Sequence, residues 1–310
     1  MTEAKPMQES SVLWRRLVEQ TEYALRCGAL QSIPTNYEFV EQGGIRFLVR
    51  ILANLVRKDA AKPPAKTGKD FNPFLPYEED LFVADISDTH VCLLNKFNVV
   101  EHHLLIVTRA FAEQESWLDL ADFQAMWLAL AEIDGLAFYN SGSIAGASQR
   151  HKHLQLVPLP LVDDGDGEEM PIAPLLKTAK FEDGIGTIPD LPFVHGIAKF
   201  DPSWINSPDV AAEMTLKSYL NLQKAVGLLN DLEEIGDRPN GAYNLLATRE
   251  WIMVVPRRQE FFQGISVNSL GFAGALLVRN QEQKQLLLDT GPLNILTAVA
   301  QPGNLEKFCG

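Results

Sequence analysis

A chain of 310 residues, 46% of them hydrophobic, has enough apolar material for a substantial core, as one large domain or two ordinary ones. Its 27 basic against 40 acidic residues leave a net charge of −13, which argues against nonspecific binding to nucleic acid or an anionic membrane; an anionic substrate then needs basic groups placed locally. Cys27, Cys92 and Cys309 fit no metal or redox spacing and no apolar run reaches membrane length, so the expectation is a soluble, cytoplasmic protein with reduced thiols and no structural zinc.

From the N-terminus, Val12 to Cys27 carries apolar residues at Leu13, Leu17, Tyr23, Ala24 and Leu25, a roughly helical spacing that stops at Gly28. Ile45 to Leu55 reads as β and runs into the basic, proline-containing stretch Arg57 to Lys69, which is either a solvated loop or a phosphate tether. Val91 to Leu94 and His103 to Val107 read as strands, joined by a connection long enough to be functional, with Asn95 and Lys96 at its start. Ser116 with Asp119 resembles a capping pair for a helix whose apolar stripe runs through Trp117, Leu120, Phe123, Met126, Trp127, Leu130 and Ala131. Its tryptophans fall on the stripe and read as core. Leu136 to Tyr139 is the next strand, leading to Asn140 and the glycine-rich turn Gly142 to Ser148.

Asp163 to Glu169 resembles a calcium loop superficially. Glu169 stands where that loop needs glycine and Leu175 where it needs glutamate, so the segment reads as an acidic insertion. Pro171 to Pro208 reads as a long irregular connection and Thr215 to Leu229 as a helix. The strands Tyr243 to Ala247 and Trp251 to Val255 echo the earlier Leu93 to Asn95 and His103 to Arg109, which suggests internal duplication. Ser266 to Arg279 is a second glycine-spaced segment, either closely packed backbone or a nucleotide-facing wall. The expected organisation is an N-terminal half over 1–165, an irregular connection over 166–208 and a C-terminal half over 209–310, forming one unit.

The most informative segment is His151-Lys152-His153-Leu154-Gln155. On a strand, His151, His153 and Gln155 share one face while Lys152, Leu154 and Leu156 point the other way. A neutral imidazole is both nucleophile and leaving group near neutral pH, and the N–H groups of a glycine-rich turn suit a phosphate. Attack by His153 on a phosphoanhydride gives a phosphoramidate, and a second acceptor then removes the nucleotidyl group without water. Gln155 and the backbone around Gly146, Ala147 and Ser148 can hold the growing charge, while His151 orients the backbone or the neighbouring ring. A metal-binding pair and a structural pair also fit the i, i+2 spacing, although no third ligand lies near in sequence. His90, His102, His103 and His195 read as surface or core residues, and there is neither a Walker loop nor a dinucleotide fingerprint.

Asn140-Ser141-Gly142 followed by Gly146-Ala147-Ser148-Gln149-Arg150-His151-Lys152-His153-Leu154-Gln155 resembles the signature of the diadenosine tetraphosphate (Ap4A) phosphorylases, or ATP adenylyltransferases, of the histidine triad superfamily. Glutamine replaces the third histidine of the triad, as in that branch and in galactose-1-phosphate uridylyltransferases. Asn72 to Pro76, Leu94 to Phe97, His103 to Thr108 and Asn268 to Gly274 extend the likeness from about Ile45 to Arg279. The resemblance implies an α+β fold, histidine-triad-like, with antiparallel split-barrel sheets, flanking helices and two pseudo-repeated halves. It implies reversible phosphorolysis of Ap4A to ATP and ADP through an adenylylated histidine, with His153 as nucleophile, Gln155 on the reacting phosphate and His151 in support. The substrate contacts it implies are Lys58 (with Lys62 nearby), Asn95, Lys96, Asn140, Gly146, Ala147, Ser148, Gln149, Asn268, Ser269 and Leu270, with Ala275 where methionine is frequent and Arg279 where lysine is usual. A divalent cation, Mg2+ carried by the polyphosphate with no protein ligand assigned, and a monomer supplying both halves are further expectations. The alternatives are a phosphorylase of another nucleoside diphosphate compound, such as an NDP-sugar or adenosine phosphosulfate, and a nucleotide-binding regulator without catalysis. A sugar-phosphate uridylyltransferase fits less well, because Lys152 stands where that branch carries proline and no Cys-x-x-Cys occurs.

Overall fold

The computed structural model describes residues 11–53, 72–163, 165, 169–231 and 236–303. Ser11 accepts the Trp14 N–H and starts α1 (Val12–Cys27), which Gly28 ends in the left-handed conformation. The hairpin β1 (Thr35–Gln42) and β2 (Ile45–Leu52) follows. Next come β3 (Phe82–Asp85), β4 (His90–Leu94) and β5 (Leu104–Thr108), then α2 (Leu120–Glu132), β6 (Gly135–Asn140) and β7 (His153–Pro158). The residues expected to form an irregular connection instead contain α3 (Ala173–Leu176) and three short strands, β8 (Lys180–Glu182), β9 (Ile185–Thr187) and β10 (Gly196–Lys199). The chain ends through α4 (Pro208–Ala225), β11 (Tyr243–Ala247), β12 (Trp251–Pro256), β13 (Phe261–Phe262), β14 (Ile265–Ser266), α5 (Ser269–Phe272), β15 (Ala275–Val278), α6 (Gln281–Thr290) and α7 (Pro292–Val299). No described helix is long and apolar enough to cross a membrane.

Two expected helix starts move. Asp119, not Ser116, is the N-cap of α2: its carboxylate accepts the Ala121 and Asp122 N–H groups, and Asp122 reaches back to the Asp119 N–H to close a capping box. The expected helix at Thr215 to Leu229 is α4, which starts at Pro208, where proline's missing N–H costs nothing, and stops at Ala225.

Ten strands form one sheet in the order β3-β4-β5-β7-β6-β11-β12-β10-β9-β8, every neighbour antiparallel. The two halves of that order mirror each other about the β6–β11 pair. The chain runs strand-strand-strand-helix-strand-strand twice, as β3-β4-β5-α2-β6-β7 and β8-β9-β10-α4-β11-β12. The duplication expected from sequence is therefore present, with a different correspondence: β11 and β12 stand in for β6 and β7, not for β4 and β5.

Period-two alternation splits the sheet between two cores. Ala137, Tyr139, Leu154, Leu156, Leu245 and Val254 point to the side where α2 and α4 pack together. Leu136, Phe138, Val157, Leu246, Met253 and Val255 point to the other. There β2, flanked by β1 and by a parallel β15, makes a three-stranded second layer. Its core residues Phe47, Val49, Leu276 and Val278 belong to that second core, so the layer is anchored apolarly while facing the ends of β5 and β7.

Candidate active site

A cleft of about 460 Å3 lies between the large sheet and the β2–β15 layer. His153 opens β7, opposite Val107 on β5, and is 5% exposed. Its Nδ1 is 2.8 Å from the His151 carbonyl oxygen. A carbonyl only accepts, so Nδ1 carries the proton and Nε2 the lone pair. Burial pulls the imidazole down to about 4, which keeps it neutral at neutral pH. Its backbone N–H donates to Gln114 Oε1 at 2.8 Å, and the Phe74 ring lies 5.3 Å away.

His151 and His153 both meet the Phe74 ring, with centroids 5.7 and 5.3 Å away, while Lys152 between them turns to the other side, as the alternation expected. His151 precedes β7, in an isolated bridge with Glu113, and does not line the cleft. Its Nδ1 accepts from Asn72 Nδ2 at 2.9 Å, its Nε2–H donates to the Thr108 carbonyl at 2.8 Å, and its own carbonyl holds His153. The ring thus anchors the backbone that sets the neighbouring imidazole. Lys152 points to the opposite side as expected, where Nζ meets Asp122 Oδ2 at 2.6 Å; the other Asp122 oxygen faces His90 Nε2 at 3.0 Å.

Gln114 explains how the catalytic end of the sheet is held open. The β6–β7 pairing stops at Phe138–Gln155, and beyond it Gln114 Nε2 donates to both the Asn140 and His153 carbonyls, at 2.9 and 3.1 Å. Where the strands part, Asn140 lines the cleft; its Oδ1 accepts from Asn244 Nδ2 and from the Ser269 N–H and hydroxyl. Arg257, 3% exposed, donates to the Asn244 side chain and to the carbonyls of Ala145, Val267, Gln259, Glu260 and Val299. It ties the glycine turn of one half to the Asn268 segment of the other. Gly146 sits at φ 91° where a Cβ would meet the Val267 carbonyl oxygen at 2.8 Å, so only glycine lets the two segments approach.

Gly146, Ser148, Gln149, Gln155, Asn268, Leu270, Ala275 and Arg279 line the cleft together with Asn95 and Lys96. Ser269 does not; it is fully buried and serves Asn140. Ala147 lines a neighbouring groove with Glu113 and Arg238, which shares Ser148 and Gln149 with the cleft. Lys58 and Lys62 lie outside the described residues. Lys96 Nζ is 2.6 Å from Glu78 Oε1, and Arg50 on β2 is a further cation of the cleft. Arg50, Lys96 and Arg279 against Glu78 make the described lining cationic within an acidic chain, the local placement that the net charge demands.

Sequence reasoning passed over Arg50, Gln114 and Arg257, and read His103 as a surface or core residue. His103 faces the cleft, and its Nε2 is 2.9 Å from Gln155 Oε1. The signal lies in strand register: Leu105 pairs with Gln155, so His103, two residues back along the chain, looks out on the same face. Arg257 and Gln114 left no local signal, since the bonds by which they join separate segments go mostly to backbone groups far along the chain.

What the doubled sheet presents to its cleft is an unprotonated imidazole with a free Nε2 lone pair, the equipment for nucleotidyl transfer by attack on phosphorus. Residues 3–178 match the family model described as the Ap4A phosphorylase N-terminal domain, and residues 189–302 that of the ATP adenylyltransferase C-terminal domain. The chain belongs to the Ap4A phosphorylase family. Among its relatives, diadenosine 5',5'''-P1,P4-tetraphosphate phosphorylase 2 of Saccharomyces cerevisiae is 29% identical over 257 residues, covering 74% of this chain and 76% of that protein. Protein APA1 of the same yeast is 29% identical over 258 residues, covering 76% of each. The crystal structure of yeast Ap4A phosphorylase Apa2 in complex with Ap4A superposes with a TM-score of 0.76 at 23% identity, over 94% of this chain and 98% of that one, so the fold is shared almost end to end.

Proposed function

We propose that this chain catalyses the reversible phosphorolysis of Ap4A by inorganic phosphate to ATP and ADP, with His153 as the adenylylated nucleophile. The observation that carries the reading is the His153 tautomer: with Nδ1–H held by the His151 carbonyl, the Nε2 lone pair is left for the substrate. Nε2 attacks the α-phosphorus of one adenosine end, the P–N bond forms as the bridging P–O bond breaks, and ATP leaves with that oxygen. A phosphate oxygen then attacks the same phosphorus, the P–N bond breaks, and ADP leaves with His153 restored. Gln155, the turn residues Gly146, Ser148 and Gln149, and the cations Arg50, Lys96 and Arg279 line the cleft where the phosphates would lie. The apolar side chains Leu48, Leu270 and Ala275 of the same lining suit a base. Mg2+ carried by the polyphosphate, a monomer supplying both halves, and a cytoplasmic location are part of this proposal.

The test is incubation with Ap4A in the absence of phosphate, followed by intact-protein mass and peptide mapping. One adenylyl group on His153, one ATP released per chain, and neither in His153→Ala is the expected result. An adduct that survives His153→Ala, or full phosphorolysis by that variant, overturns the proposal.

A further inference from the structure

The hydrogen-bond direction behind Gln155 is set by a residue outside the His-x-His-x-Gln segment. Asn95 Oδ1 accepts the Phe97 N–H at 3.3 Å, which turns its NH2 towards His103, with Nδ2 and Nδ1 3.2 Å apart. An amide NH2 only donates, so His103 Nδ1 holds the lone pair and Nε2 the proton. That proton is directed at Gln155 Oε1, 2.9 Å away. With its oxygen engaged, Gln155 keeps its NH2 for the cleft that it lines. Burial, which pulls His103 down to about 4, keeps the ring in its neutral form near pH 7.

An amide is a two-ended group. Rotated by half a turn, Gln155 would present its carbonyl oxygen to the phosphoryl oxygens as their negative charge grows, turning a donor into a repulsive acceptor. His151 and His153 have their orientations fixed by backbone carbonyls; Gln155 has His103. We propose that His103 is a positioning residue of the nucleotidyl transfer, acting through Gln155 by fixing which end of the amide meets the reacting phosphate. The inference rests on His153 being the adenylylated nucleophile. Peptide mapping of the unmutated protein after Ap4A tests that reading separately.

The experiment compares His103→Gln, His103→Leu and His103→Glu by single-turnover adenylylation and steady-state phosphorolysis, each variant checked for folding by circular dichroism and thermal melting. Glutamine can accept from Asn95 and donate to Gln155, so His103→Gln is expected to keep a tenth or more of kcat. An ionised glutamate only accepts and draws the Gln155 NH2 away from the cleft. His103→Glu is expected to lower kcat about 100- to 1,000-fold, the usual loss for one charge-stabilising donor, with KM for Ap4A moving less than about threefold. His103→Leu leaves the amide undirected and is expected to fall between the two, which keeps the comparison decisive should the buried glutamate unfold the chain. In a Gln155→Ala background, the further change at His103 is expected to cost less than about threefold. Equal kcat for the glutamine and leucine variants, or undiminished His103 effects without Gln155, would overturn the proposal.

Discussion

The Nδ1–H of His153 is committed to the His151 carbonyl, and the burial that makes this bond strong also keeps the ring unprotonated. A nucleophile must be neutral to attack, and a value near 4 in place of 6.5 leaves it so across mildly acidic conditions. Single-turnover adenylylation is therefore expected to change less than about twofold between pH 7.5 and 5.5; an acid limb centred near 6.5 would place the nucleophile elsewhere or leave its ring solvated. The second residue-scale prediction concerns Gly146, at φ 91° and against the Val267 carbonyl. Gly146→Ala adds left-handed strain and a clash, so a stability loss of about 1–3 kcal/mol and a KM for Ap4A raised about tenfold or more are expected from urea unfolding and steady-state rates. At this scale the sequence was partly legible. His153 and Gln155 follow from residue type and spacing, whereas the tautomers follow only from partners such as Asn72, Asn95 and the His151 carbonyl, which the fold brings together.

Among the elements, β7 carries chemistry on one face, and Lys152, the residue that leads into it, makes an ion pair on the other. Lys152, a charged residue inside the catalytic segment, is 4% exposed and bound to Asp122, which is 2% exposed and closes the capping box of α2; burial and this pairing hold the catalytic strand to the helix layer. Removing one partner of a buried pair strands the other charge. Lys152→Met is expected to cost about 3–5 kcal/mol in urea unfolding. Arg109→Met, which removes an exposed pair with Asp85, is expected to cost less than about 1 kcal/mol, and equal costs would contradict the account. Elements with strong periodicity were readable, above all α2, β4, β5 and β6. The hairpin partner β1 was not, because its side chains are half-buried or exposed and leave no alternation to detect. Nor were β8 and β9, at three residues each, or β10, at four: the ladder fixes them, with little local preference to signal it.

For the whole molecule, a duplicated unit places one half's catalytic strand beside the other half's glycine-spaced segment, and Arg257 holds the seam. The repeat was glimpsed in the sequence with the wrong correspondence, because strands of similar apolar content look alike until the helix preceding each pair is placed. The same burial that tunes the site makes the molecule acid-sensitive. His103 and His153 are held near 4 when folded against 6.5 when exposed, so unfolded chains take up these protons first as pH falls. Their contribution is complete above about pH 6.5 and is lost progressively down to about pH 4, on the order of 3 kcal/mol for each ring. Urea unfolding across that window is expected to show stability falling steadily with acidification, with a shallower slope in His103→Gln.

The central claim is a covalent relay through His153, and the configuration at the transferred phosphorus tests it most directly. With a dinucleotide made chiral by sulfur at the attacked α-phosphorus, two successive in-line displacements return net retention in the ADP product, which is the result expected here. Net inversion would mean that phosphate attacks the substrate in a single step, and would contradict a histidine intermediate.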